Sequence, residues 1–218
     1  MTFEVLIYSA PAVLIALVLH ELSHGLVSYK LGDPTPKATG RLSLNPLRHL
    51  DLFGTLSLLI VGFGWAKPVM INPNYYKNKK LGTVLTALAG PAMNIVLAFI
   101  GCFAISLITR ISGGSIAFQT EAGYQVFTYI WNFLYYFVLI NIGLGCFNLI
   151  PFPPLDGSKV LLAILPERIY FQIMRYERYG QLVLFLLLFL GVLDTPLLAM
   201  RNFVYTCLMT ATNFLCGL

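Results

Sequence analysis

Apolar residues run along this chain in long blocks, separated by two polar stretches. Residues about 4–30, 83–110 and 124–150 are apolar almost throughout, and a further Leu- and Phe-rich block begins near 181. About 20 consecutive apolar residues cross the hydrocarbon core of a bilayer as a helix. The three long blocks therefore predict three membrane-spanning helices, and residues about 181–195 predict the start of a fourth. Pro196 interrupts that last block. The pattern leaves three fates open for residues 197–218: a kinked continuation, a returning fifth span or a surface helix.

The first polar stretch, residues 33–82, contains shorter apolar pieces. Leu52–Trp65 is uncharged but too short to span, so it predicts a re-entrant or interfacial element or a buried strand. Gly40–Leu44 and Ala66–Pro73 read as short strands, and Pro68 marks the second as an edge. The expected fold is an α-helical polytopic membrane protein. It has a three-helix core, at least one further C-terminal span, and a small β-sheet or re-entrant element at one membrane face. One domain is expected over 1–218, with its core at about 4–160 and C-terminal helices at about 181–218. Met1–Val5 lacks the basic segment of a secretory signal, so the first span is expected to remain in the mature protein.

Composition agrees with the pattern. Of 218 residues, 58% are hydrophobic and only 11% charged, where a soluble domain carries about 25%. The formal charge of +5 could suggest nucleic acid, but Lys and Arg concentrate in the 30–82 and 151–180 stretches and are nearly absent from the N-terminus and residues 111–123. That asymmetry is the positive-inside bias, so the N-terminus is expected outside and both basic stretches at the cytoplasmic face. Cys102, Cys146, Cys207 and Cys216 form no C-x-x-C pair, which argues against a thiolate metal site.

Candidate chemistry enters near the inner end of the first span. His20-Glu21-Leu22-Ser23-His24 places two imidazoles one turn apart on one helix face, with a glutamate between them. This is the spacing at which a helix offers two ligands to Zn²⁺, with the glutamate as general base. Ionisable groups are costly in a bilayer, so the cluster is itself a functional-site signal. A third ligand is needed. Asp156 is the best acidic candidate: it follows Pro151, Pro153 and Pro154 where the third span breaks, and the topology brings it to the depth of the histidines. His49 and Asp51 read as solvated loop residues.

The His20–Gly25 stretch together with Asn148-x-x-Pro151-x-Pro153-Pro154-Leu155-Asp156-Gly157 resembles the paired signature of site-2 proteases, the intramembrane zinc metalloproteases. Gly90-Pro91-x-x-Asn94, Gly40–Pro46 and Gly64–Val69 resemble further elements of that family. The resemblance covers about residues 14–160. It implies zinc held by His20, His24 and Asp156, with Glu21 as general base, in a compact member without a PDZ or CBS domain. It also implies membrane-protein substrates, cut within or near their transmembrane segments in regulated proteolysis or in clearance of signal-peptide remnants, in a bacterial or archaeal cell membrane. Asn148 or Asn94 could donate to the oxyanion; either could equally be an interhelical hydrogen bond or a cap. Two other readings stand beside this one. The first is a membrane-anchored zincin that cuts soluble or misfolded chains, with Glu167 as third ligand. The second is a non-catalytic metal-binding scaffold.

Overall fold

The computed structural model describes residues 3–51, 54, 66–112 and 120–218. Helices α1 (Phe3–Lys30), α2 (Lys79–Ser112) and α3 (Glu121–Asn148) are each long and apolar enough to cross a membrane, and they pack against one another. They follow the three apolar blocks. α1 and α3 run one way and α2 the other, so the C-terminal ends of α1 and α3 meet the N-terminal end of α2. Between α2 and α3 lies a core of Ala98, Cys102, Ile105, Val138, Ile142 and Cys146. All four cysteines are free thiols.

Beyond α3 come three shorter helices, α4 (Gly157–Ile164), α5 (Glu167–Arg175) and α6 (Glu177–Phe189), and then α7 (Asp194–Cys216). α6 and α7 meet at 84°, broken around Gly191, whose φ of 68° ends the first helix. α7 packs lengthwise on α2 and α3, with Val204, Tyr205, Leu208 and Met209 against their shared core. The Ser106 hydroxyl on α2 lies 2.7 Å from its acceptor Asn213 Oδ1 and 3.0 Å from Thr212 Oγ1 on α7, and Arg110, one turn further along α2, donates to Gly217 O beyond the end of α7, so the two helices run parallel. The fourth apolar block is thus a sharply broken pair, and its second half is the part that lies along the bundle.

The predicted sheet is not present among the described residues. Gly40–Leu44 and Ala66–Pro73 form no ladder; one antiparallel bridge, Leu50 to Ala66, is all that pairs there. The physical reason is that side chains hold this backbone. Arg41 donates to the carbonyls of Arg48 and Lys67, and the His49 ring donates to Ser43 O (2.7 Å). Pro68 and Pro73 remove two donors that a ladder would need. His49, expected in solvent, is 1% exposed and serves as this internal brace. The expectation for Leu52–Trp65 lies outside the described residues, apart from Gly54.

Asp33 ties this loop to the end of α1. It is fully buried; Oδ2 accepts from Ser28 Oγ (2.8 Å) and Asn72 N (2.7 Å), and Oδ1 from Thr35 N (2.9 Å). Burial pushes its carboxyl up, but the hydrogen bonds from Thr35, Asn72 and Ser28 outweigh burial and hold it below the usual carboxylate range. Asp33→Asn turns one acceptor into a donor facing N–H or O–H groups, and is expected to destabilise the protein by about 1.5–3 kcal/mol. A group with a lowered folded pKa stabilises fully above its unfolded value, about 3.9, and loses that contribution as pH falls through the folded value. The difference in thermal midpoint between wild type and Asp33→Asn should therefore be flat from about pH 5 to 8 and shrink below about pH 4.

Candidate metal centre

His20 and His24 project from the last three turns of α1 towards α2, and both are buried. The helices approach closely because residue 90 is glycine. A Cβ there would lie 2.6 Å from His20 Nε2 and 2.4 Å from His24 Nε2. One turn further along α2, Asn94 Oδ1 accepts from His20 Nδ1 at 2.6 Å. The Asn94 amide in turn donates to Asn141 Oδ1 on α3 at 2.9 Å, and Asn141 anchors itself on Phe137 O at 2.8 Å. His20 is thus oriented by a relay that joins all three core helices.

His24 has its own brace. Its Nδ1 donates to Thr86 O at 2.6 Å. The Thr86 hydroxyl meets Tyr76 OH (3.1 Å), and Tyr76 OH meets Ser28 Oγ (2.8 Å), which donates to Asp33. The loop anchor and the ring are therefore joined by one run of hydrogen bonds.

Asp156 arrives on the turn after α3. Prolines 151, 153 and 154 cannot continue a helix, and the chain folds back so tightly that a Cβ on residue 157 would lie 2.3 Å from Leu149 O. This return places Asp156 Oδ2 at 3.2 Å from both His20 Nε2 and His24 Nε2, which are themselves 3.1 Å apart. Its other oxygen, Oδ1, faces Lys159 Nζ at 3.7 Å.

The chemistry of this triangle is decided by its tautomers. Both Nδ1 atoms donate outward, so in the neutral rings both Nε2 atoms present lone pairs to each other and to a carboxylate oxygen. Three acceptors at 3.1–3.2 Å repel unless a cation or an extra proton lies among them. Tetrahedral zinc with bonds of about 2.0–2.1 Å sets its ligands about 3.3 Å apart, close to what is found. His20, His24 and Asp156 can therefore hold a metal ion as they stand. Glu21, the neighbour of His20, turns to the loop, where Oε2 accepts from Val69 N at 2.9 Å.

The other candidates lie elsewhere. The Asn148 amide donates to Leu144 O of its own helix (3.1 Å), and the Asn94 amide is engaged by Asn141. Asp51 accepts from Gly54 N, and His49 is outside the triangle. The side chain of Glu167 lies outside the described residues. Sequence reasoning missed Asn141, Thr86, Tyr76 and Lys159. Of these, Asn141 alone gave a signal, as an amide in the middle of an apolar block.

The braces generate a graded expectation for metal affinity. Partners that orient metal-binding histidines are worth about 10–100-fold in affinity. Asn94→Leu should weaken zinc binding by about that factor in competition with a chromophoric chelator. Gly90→Ala should lower the bound zinc far more, because its methyl group occupies the space of both rings. Asn148→Leu should leave zinc binding unchanged.

Known proteins resemble this chain over most of its length. The sequence model of "Peptidase family M50" matches residues 8–192, a span that includes all three members of the triangle. "Putative zinc metalloprotease YwhC" of Bacillus subtilis is 39% identical over 191 residues, covering 88% of this chain and 84% of that relative. "Putative zinc metalloprotease MJ0611" of Methanocaldococcus jannaschii is 31% identical over 163 residues, covering 73% of this chain and 72% of that protein. "Putative zinc metalloprotease Rip2" of Mycolicibacterium smegmatis is 26% identical, covering 83% of this chain and 66% of that protein. No solved structure matches the chain. By the extent of the family match and the identity to these relatives, the chain belongs to peptidase family M50, a family of zinc-dependent metalloproteases.

Proposed function

We propose that this protein is an intramembrane zinc endopeptidase of the site-2 type, with His20, His24 and Asp156 as metal ligands and Glu21 as general base. The carrying observation is the triangle of two Nε2 atoms and one carboxylate oxygen at 3.1–3.2 Å, set among helices apolar enough to lie in a bilayer. A peptidase has reason to place a costly polar cluster there only if the bond it cuts is also there. The whole chain acts as one catalytic domain in this reading.

When bound, zinc supplies a Lewis acid that polarises the scissile carbonyl and acidifies the attacking water. The residues of the chain do the rest. Asn94 and the Thr86 carbonyl keep the protons of His20 and His24 on Nδ1, so that Nε2 stays available. Lys159 holds Asp156 Oδ1 to one side, leaving Oδ2 for the metal. Glu21 accepts the proton of the attacking water and delivers it to the leaving amine. The Val69 amide fixes one oxygen of Glu21 and leaves the other for that exchange.

A substrate helix must unwind before its carbonyls can be attacked. The extended segment Lys67–Asn72, beside Glu21, is suited to hold the unwound strand by backbone pairing. Substrates in this reading are membrane proteins with a single span, or remnants of signal peptides. The basic residues at the metal end, among them Lys30, Lys67, Lys79, Lys80 and Lys159, support a cytoplasmic position for the site and an outside N-terminus. The Asp156 geometry favours this reading over a zincin that uses Glu167.

Glu21→Gln is expected to keep one zinc per chain and to lose cleavage of a transmembrane reporter by about 10²–10⁴-fold. Asp156→Asn should lose zinc and cleavage together, while Glu167→Gln should retain both. Zinc loss in the Glu167 variant with retention in the Asp156 variant would instead establish the zincin reading.

A further inference from the structure

α7 carries a charge that the bundle does not neutralise. Arg201 lies seven residues after Asp194, so the two share a helix face about 10 Å apart along the axis. The Arg201 Nε is buried without a hydrogen-bond partner, and among the described residues no ion pair reaches its guanidinium. Both side chains line a cavity of about 300 Å³, completed by Leu197, Leu198 and Gly143 of α3. A side chain at residue 143 would meet nothing within 4 Å.

The depth of this cavity follows from the α2–α7 contacts. Thr212 meets Ser106, and Arg201 lies 11 residues, about 16 Å, towards the metal end. The same step on α2 reaches Ile95, beside Asn94, so Arg201 stands level with the metal centre or slightly deeper, and Asp194 lies nearer the helix ends. The cavity is nonetheless separate from the catalytic triangle. Gly143 is two residues from Asn141, which faces Asn94, so it points to the opposite side of α3.

A lone guanidinium at this depth is costly unless an anion joins it. The cavity offers a cation deep, an anion shallow, and leucines between. A bilayer component has the complementary order, with a phosphate below an amine and acyl chains beside them. We propose that this cavity is a lipid site for a zwitterionic phospholipid with a primary ammonium headgroup, such as phosphatidylethanolamine. Arg201 takes the phosphate by charge-assisted hydrogen bonds, and Asp194 takes the ammonium. A trimethylammonium headgroup offers no N–H to Asp194, and the lining residues include no aromatic ring of the kind that cages quaternary amines. The glycerol headgroup of phosphatidylglycerol offers Asp194 only neutral hydroxyls, without the positive charge of the ammonium.

The test is native mass spectrometry of the full-length zinc-loaded protein, delipidated and then incubated separately with phosphatidylethanolamine, phosphatidylcholine or phosphatidylglycerol. The wild type should retain the ethanolamine lipid at least about tenfold better than either other lipid. Arg201→Gln should abolish retention, and Asp194→Asn should erase the preference among headgroups. Gly143→Leu fills the cavity without touching either charge and should also abolish retention, while one zinc per chain shows that the fold persists. Equal retention of all three lipids by the wild type would overturn the proposal, as would ethanolamine-lipid retention in Arg201→Gln or Gly143→Leu. Displacement of the lipid by soluble phosphoethanolamine at equal concentration would make the ligand a free phosphate ester and overturn the lipid assignment.

Discussion

The structure depends on the two hydrogen bonds that fix the protons of His20 and His24. Asn94 accepts one and the Thr86 carbonyl the other, both at 2.6 Å. With both Nδ1 protons committed outward, two lone pairs and a carboxylate are forced to one point. A site that repels itself when empty is ready for a cation. Much else in the bundle serves this geometry. Gly90 lets α2 come close enough for Asn94 and Thr86 to reach the rings, and Asn141 keeps Asn94 turned the right way from α3.

The same constraint explains why buried polar groups cluster at one end of the apolar helices. In a bilayer an unpaired polar group has no water to turn to, so each must be satisfied within the protein. His20, Asn94 and Asn141 satisfy one another across three helices. His24, Thr86, Tyr76, Ser28 and Asp33 carry satisfaction out to the loop, where Asp33 also holds Asn72. The loop that presents Val69 to Glu21 is therefore registered on the same hydrogen bonds that orient His24. Metal-site geometry and the placement of the extended segment become one problem with one solution.

Much of this was legible in the sequence because its signals are local or strongly one-dimensional. Three apolar blocks gave three helices, and the i, i+4 histidines had to share a face. Asp156 was legible because three prolines before it and a glycine after it demand a tight return at a helix end. The loop was less legible: Gly40–Leu44 and Ala66–Pro73 have strand-like composition, but Arg41 and His49 hold their backbones from side chains 6–26 residues distant, which no short window reveals. For the same reason His49 looked like a solvated residue. The C-terminal apolar block could not be resolved either, since α7 is held along the bundle by contacts between residues 106–107 positions apart, Ser106 with Thr212 and Asn213. Lys159 and Thr86 carried no signal, because a lysine after a turn and a threonine in a helix are ordinary until their neighbours are known.

The central claim is that His20, His24 and Asp156 converge on zinc, and X-ray absorption at the zinc edge of the purified protein tests it most directly. One zinc per chain is expected, with nitrogen and oxygen neighbours at about 2.0–2.1 Å and outer-shell scattering from two imidazoles that falls to one in His24→Ala. A sulfur neighbour at about 2.3 Å, or a first shell unchanged by loss of His24, would contradict it.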